Sequence, residues 1–251
     1  MSCFADHFSD RAAQYARYRP DYPEALFDFL AQLAPERKRA WDCATGSGQA
    51  ARGLAGGFEK VVATDASLSQ ISSATPHLRI RYAVAAAEEA PLADGSVALV
   101  TSAQSLHWFD RARFWREVWR VLVPGGIVAV WSYHGFHVTP EVEAVVYRLY
   151  RDIVGPYWPP ERALVERGYG ALEFPFVPVA APEFRLEKAW DLPAMVGYLK
   201  TWSAARRYEA ALGEDPVTLV REDLAAAWGP PERIRMFRWD LDLRVGHKPS
   251  R

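Results

Sequence analysis

The sequence predicts an α/β protein built on a parallel sheet covered by helices on both faces. Short apolar runs ("RAWDCA", "KVVATD", "RIRYAVA", "SVALVTSA" and "IVAVW") alternate with helical segments. Runs apolar at successive positions are the mark of strands buried on both sides, as parallel strands are. A loop of small residues, "DCATGSG", stands between the first run and a helix, where such sheets place their ligand-binding turn.

The elements follow in order. "PEALFDFLAQLA" carries Leu26, Leu30 and Leu33 on one helical face, with Pro23 in a first-turn position. The first strand runs into the glycine loop, and a helix follows over about residues 49–55. Ser67, after the second strand, is a plausible N-cap for the next helix. Asp94-Gly95 turns the chain into the fourth strand. "RARFWREVWRVLV" is amphipathic, with Arg113, Arg116, Glu117 and Arg120 on one face and Phe114, Trp115, Val118, Val121 and Leu122 on the other. Pro124-Gly125-Gly126 is expected to end it before the fifth strand.

Beyond residue 139 the chain turns irregular and rich in proline and aromatics. Two further apolar stripes stand out, one of Val142, Val145, Val146 and Leu149, the other of Met195, Tyr198, Leu199 and Trp202. Each needs a partner to bury it, so residues 139–213 are expected to form a helical cap within a single domain spanning 1–251. "EFRLEKAW" and "RMFRWDLDLRVG" alternate with period two, as half-exposed antiparallel strands at a sheet edge do.

The whole chain sets the bounds. It has 251 residues, half of them apolar, and a formal net charge of −1. Nucleic acid is therefore an unexpected partner, because phosphate neutralisation needs a basic surface. The two cysteines, Cys3 and Cys43, suggest no disulfide and fit a reducing cytoplasm. No run approaches 18 apolar residues and the first residues have no signal core, so a soluble cytoplasmic protein is expected.

The loop asks which nucleotide it holds. Gly46, Gly48 and Ala51 fit the dinucleotide pattern G-x-G-x-x-A, which favours a nicotinamide-dependent oxidoreductase. Asp65 ends the second strand, 17 residues after Gly48. A carboxylate there suits the ribose of either kind of ligand. Asp42 discriminates, since it stands four residues before Gly46, where the strand delivers the chain to the ligand. A carboxylate there repels a pyrophosphate and favours the ammonium and sulfonium of S-adenosylmethionine. The competing reading is a turn that Asp42 caps and the glycines only tighten.

The chain resembles the class I S-adenosylmethionine-dependent methyltransferases. Within them it is similar to the small-molecule branch that includes trans-aconitate methyltransferase-like proteins. The residues that carry the resemblance are "YARYRPDYP", "DCATGSGQAA", "VVATDAS", "AAAEEAPLADGSVALVTSAQSLHWFD" and "VLVPGGIVAVW", with a weaker return at "YLKTWSA". It implies a Rossmann-like, doubly wound seven-stranded sheet with an antiparallel last strand, and S-adenosylmethionine at the carboxyl ends of the strands. Carried over by position, Asp42, Ala44, Gly46 and Gly48 line the methionine moiety. Asp65 holds the ribose with Ala66 beside it, and Ala87 and Glu88 flank the adenine. Ala103 and Gln104 sit by the methionine part. Tyr15, Tyr18 and Arg19 cover the cofactor, and Arg19 is placed to meet its carboxylate. Ala44 replaces a common glycine, and Ala98 a common acid of the fourth strand.

Methyl transfer needs an acceptor held in line with the methyl group and water excluded; a base is needed only for a protonated acceptor. His107, in "SLHWFD", is the candidate base, against a structural histidine at a turn. Tyr133, Tyr198 and Trp202 are candidates to line the acceptor site with His107, and His134 ends the same strand as Tyr133. A carboxylate acceptor would call for a cation instead, from Arg19, Arg206 or Arg207. No metal-ligand spacing and no hydrolase nucleophile pattern appears. The expectation is methyl transfer to a small molecule, on oxygen. A nicotinamide-dependent oxidoreductase and a non-catalytic cofactor-binding protein are the alternatives. Oligomeric state and acceptor identity stay open.

Overall fold

The structure is a computed structural model, and it describes residues 18–250. Of the candidate residues Tyr15 lies outside this range, as does Cys3. The first helix, α1 (Glu24–Leu33), buries Leu26, Leu30, Phe27 and Ala31. Strand β1 (Arg39–Cys43) leads to α2 (Gln49–Gly57), then β2 (Lys60–Asp65), α3 (Leu68–Ser73) and β3 (Ile80–Val84). Ser67 caps α3 by accepting from the Gln70 amide at 3.4 Å. Strand β4 (Val97–Ala103), α4 (Arg111–Val121) and β5 (Leu122–Ser132) follow.

The chain then forms α5 (Pro140–Arg148), α6 (Arg162–Glu166), β6 (Val177–Val179), β7 (Arg185–Trp190), α7 (Leu192–Lys200), α8 (Ser203–Leu212) and α9 (Arg221–Trp228). Strands β8 (Arg235–Asp240) and β9 (Asp242–His247) close it.

Seven strands form one sheet in the order β3-β2-β1-β4-β5-β9-β6. The first five are parallel, and β9 runs antiparallel between β5 and β6. This is a doubly wound α/β sheet with an antiparallel last strand. One apolar cluster packs α1 and α2 on one face through Leu30, Leu54 and Trp131; the other face packs α4 through Trp41, Phe114 and Val128.

Three features differ from the sequence expectation. The alternating run at 236–245 is two strands. It divides at Leu241, whose amide bonds to the Phe184 carbonyl; β8 pairs with β7 in a separate two-stranded sheet, and β9 enters the main sheet. The sheet edge belongs to β6, whose Pro178 suits an edge position. Second, the helix ends at Val121, ahead of Pro124-Gly125-Gly126, which lies within the fifth strand. That tripeptide forms a bulge inside β5, with Gly125 at φ 73°, as the register shifts between Val97 and Leu99. Third, Glu117 is buried on α4, where it accepts from the Ala90 amide at 2.6 Å and from Arg120 at 2.6 and 2.8 Å.

A further apolar cluster joins the end of β5 to α5, α7, α8, α9 and the β7–β8 ribbon, through Tyr133, Val146, Leu199, Trp228, Phe237 and Trp239. It stands at the carboxyl end of β5. No helix among the described residues is long and apolar enough to cross a membrane.

Candidate active site

The glycine loop starts where β1 ends. Ala44, Gly46 and Gly48 all take positive φ, at 54°, 57° and 86°. Only glycine adopts such angles without strain, so Ala44 carries a cost that its neighbours avoid. A Cβ on Gly48 would stand 2.4 Å from the Tyr82 hydroxyl, so any other residue there displaces that ring. A Cβ on Gly46 would meet only the Gln70 Oε1, at 3.7 Å. Gly46 is half-buried, and the side that it presents is open.

Asp42 lies beneath this loop, 1 % exposed. Its two oxygens accept the Thr45 hydroxyl at 2.5 Å and the Thr101 hydroxyl at 2.8 Å. Burial raises its pKa to about 6 against the pull of those hydroxyls. It thus ties the loop to β4 and remains ionised at pH 7. Asp65 ends β2 and accepts from the Gly46 amide and the Ser67 amide, both at 2.9 Å. These bonds fix its carboxylate beside the loop. Ala66 follows it, half-buried. Ala87 is buried after β3, and one Glu88 oxygen accepts from the Asp110 amide at the start of α4.

Most of the remaining candidates border a cavity of about 1040 Å³ between the ends of β4 and β5 and the helical layer. Gln104 follows Ala103 at the end of β4, at φ 57°; its amide bonds to the Trp131 carbonyl and its Nε2 to the Tyr133 carbonyl, both at 2.8 Å. Gln104, His107, Tyr133, Tyr198 and Trp202 all line the cavity. So does Arg19, whose guanidinium lies 5.4 Å from the centre of the Tyr198 ring. Tyr18 does not line it; its ring packs where a Cβ on Gly197 would stand.

His107 sits in a short helical turn, Leu106–Trp108, and is 8 % exposed. Its Nδ1 lies 2.7 Å from the Tyr169 hydroxyl. Burial, with the charge of Arg162, lowers its pKa to about 3. The imidazole is therefore neutral at any ordinary pH.

Several lining residues were not expected. Arg162 on α6 stacks over Trp158 at 4.8 Å and Tyr150 at 5.5 Å, and its Nε donates to the Tyr150 hydroxyl at 2.9 Å. Tyr150 in turn donates to Glu166. Arg151 also borders the cavity, whereas Arg206 and Arg207 do not. The signal for Arg162 was present in "WPPERALVE", where Trp158 and Arg162 are four residues apart, but no periodicity marked it. Among the described residues no group of three His, Cys, Asp or Glu could hold a metal ion.

The residues at the glycine loop fit S-adenosylmethionine. An open backbone approach at Gly46, an ionised Asp42 beneath and a fixed Asp65 at the next strand suit a cationic adenosine ligand. Fold and site together define a class I S-adenosylmethionine-dependent methyltransferase. Comparison with known proteins agrees. Residues 41–130 match the methyltransferase domain family. A Dictyostelium discoideum protein classed as a methyltransferase is 31 % identical over 229 residues, covering 90 % of this chain and 87 % of that protein. An uncharacterised methyltransferase of Mycobacterium tuberculosis is 37 % identical over 129 residues, 50 % of this chain and 51 % of that one. A solved structure from Anaeromyxobacter dehalogenans, described as a type II methyltransferase, is 46 % identical with a TM-score of 0.86, covering 92 % of this chain and 99 % of its own. The chain belongs to the methyltransferase family and is an S-adenosylmethionine-dependent enzyme; the nicotinamide reading falls away.

Proposed function

We propose that the protein methylates a carboxylate oxygen of a small, partly aromatic acid held in the cavity beyond the glycine loop. One observation carries the reading: the cavity pairs an Arg162 guanidinium, held against Tyr150 and Trp158, with a histidine that stays neutral. A guanidinium orients a carboxylate through two parallel hydrogen bonds. S-adenosylmethionine supplies a methyl carbon activated by its sulfonium, and the C–S electron pair returns to sulfur as the new C–O bond forms. The chain's task is then to position and to exclude water. A carboxylate, with a pKa near 4, is already the nucleophile at pH 7 and gives up no proton. His107, with its pKa about 3, is poorly matched to take one from a phenol or an ammonium.

In this reading Arg162 replaces Arg206 and Arg207 as the orienting cation, and Arg19 borders the same cavity. Tyr133, Tyr198 and Trp202 supply the apolar wall. At the cofactor, Asp42, Ala44, Gly46, Gly48, Ala103 and Gln104 face the methionine part; Asp65 and Ala66 face the ribose, and Ala87 and Glu88 the adenine. Tyr15, Tyr18 and Arg19 belong to the covering segment. Residues 139–213 act as the cap of a single domain, and the enzyme belongs to the small-molecule branch similar to trans-aconitate methyltransferase-like proteins. The net charge of −1 supports a small acceptor over nucleic acid, and the buried Cys43 thiol suits a reducing cytoplasm.

A screen with methyl-labelled S-adenosylmethionine against carboxylic acids, phenols and amines tests this. Label should enter acids. Transfer to phenols or amines alone would overturn it. With an acceptor in hand and S-adenosylmethionine saturating, kcat/KM should be flat above about pH 6 in wild type and in His107→Ala. A wild-type rise through about pH 6.5 that vanishes in His107→Ala would instead make His107 a base.

A further inference from the structure

Tyr169 lies 62 residues beyond His107, and its ring is completely buried. The start of β9 clamps it. Its backbone N–H donates to Asp242, and its carbonyl accepts from Arg244 Nη1 at 2.8 Å, a nitrogen that also donates to the Leu172 carbonyl at 2.5 Å. Gly168 permits the approach, at φ 71°, since a Cβ there would stand 2.8 Å from Asp242 Oδ2. The phenol oxygen is thus held 2.7 Å from His107 Nδ1.

Which atom donates can be read from the surroundings. Burial keeps the Tyr169 phenol protonated. Among the described residues that hydroxyl has one hydrogen-bond partner, Nδ1 of His107, so the buried phenol proton is directed to that nitrogen. An imidazole that accepts at Nδ1 carries its own proton on Nε2. His107 borders the cavity, and the charged groups around the pair are Arg162 from α6 and Asp242 behind Tyr169.

We propose that Tyr169 is a positioning residue that fixes His107 as an Nε2–H donor toward the cavity, so that the site selects an acceptor presenting oxygen lone pairs, a carboxylate or a carbonyl, over an ammonium. This rests on the acceptor reading above for what the donor meets, but the tautomer itself is read without any acceptor.

Long-range proton–nitrogen spectra of the protein labelled with nitrogen-15 histidine test it. Wild-type His107 should show a protonated Nε2 and a bare Nδ1, unchanged from pH 8 to pH 5.5. Tyr169→Phe should shift Nδ1 toward the protonated form. A wild-type Nδ1–H tautomer, or titration of His107 within that range, would overturn the proposal, and the wild-type spectrum decides even if the variant does not fold. Benzoate serves as the probe for the donor. His107→Gln, whose side-chain amide reaches about as far as Nε2–H, should bind it within threefold of wild type, and His107→Ala at least fivefold more weakly. Equal losses in both would refute the donor role. Failure of benzoate to bind any form would count against the carboxylate reading while the tautomer result stood.

Discussion

Gly46→Ala and Gly48→Ala separate what the loop does for the fold from what it does for the cofactor. Both positions have positive φ, so an alanine costs about 1–2 kcal/mol at either. At Gly48 the new Cβ also meets the Tyr82 hydroxyl at 2.4 Å. The ring must move, and its hydroxyl loses the bond to the Thr75 carbonyl, about 1 kcal/mol more. For a chain of this size, about 2–3 kcal/mol lowers Tm by roughly 4–12 °C, against roughly 2–8 °C for Gly46→Ala. Affinity should follow the opposite order per unit of stability. The Gly46 methyl projects into the open side of the loop, toward Gln70 at 3.7 Å, where the ligand must approach. Titration calorimetry with S-adenosylhomocysteine, beside thermal unfolding of the free proteins, should show Gly46→Ala at least about tenfold weaker, about 1.4 kcal/mol. Wild-type affinity in a folded Gly46→Ala, or a Gly48→Ala more stable than Gly46→Ala, would refute the reasoning.

Asp65→Ala should fold and lose affinity for S-adenosylhomocysteine, since hydrogen bonds to a charged group contribute about 1.5–3 kcal/mol each; unchanged binding by calorimetry would remove it from the site. Asp42, with a folded pKa of about 6, binds protons more readily folded than unfolded between about pH 4 and 6. That contribution to stability therefore falls as pH rises through the window, and Asp42→Asn should abolish the fall in urea titrations at pH 4.5 and 6.5. Bound cation favours the carboxylate, so S-adenosylmethionine should bind more tightly at pH 7 than at pH 5, by up to about tenfold, with proton release. The same pH dependence in Asp42→Asn would assign it elsewhere. Burial and the charge of Arg162 both depress His107, so Arg162→Met should raise the His107 pKa, read by NMR, and raise KM for an acid acceptor more than it lowers kcat. An unmoved KM would take Arg162 out of the acceptor site.

The parallel half of the sheet was legible because each strand is apolar on both faces and each helix keeps one stripe. Asp42, Gly46, Gly48 and Asp65 were legible too, because a ligand turn compresses its chemistry into adjacent residues. The last strands were not. Residues 236–245 keep one alternation through two different sheets, and nothing in period two marks the change of partner at Leu241. The acceptor side was harder still. Arg162 opens the short helix α6 and Tyr169 a short turn beyond it, where no periodicity assigns a face; α6 brings Arg162 to the cavity, and the start of β9 holds Tyr169 against His107. Thr45 and Thr101, which hold Asp42, carry no pattern that distinguishes them from other buried threonines.

The most direct test of the account is the chemical nature of the transferred methyl group. Label carried from S-adenosylmethionine to an acid acceptor as an ester should be released as volatile methanol by mild alkali, in wild type and far less in Arg162→Met for want of product. Label that resists alkali, as an ether or an N-methyl group does, would contradict the carboxylate assignment and with it the role given to the Arg162 guanidinium.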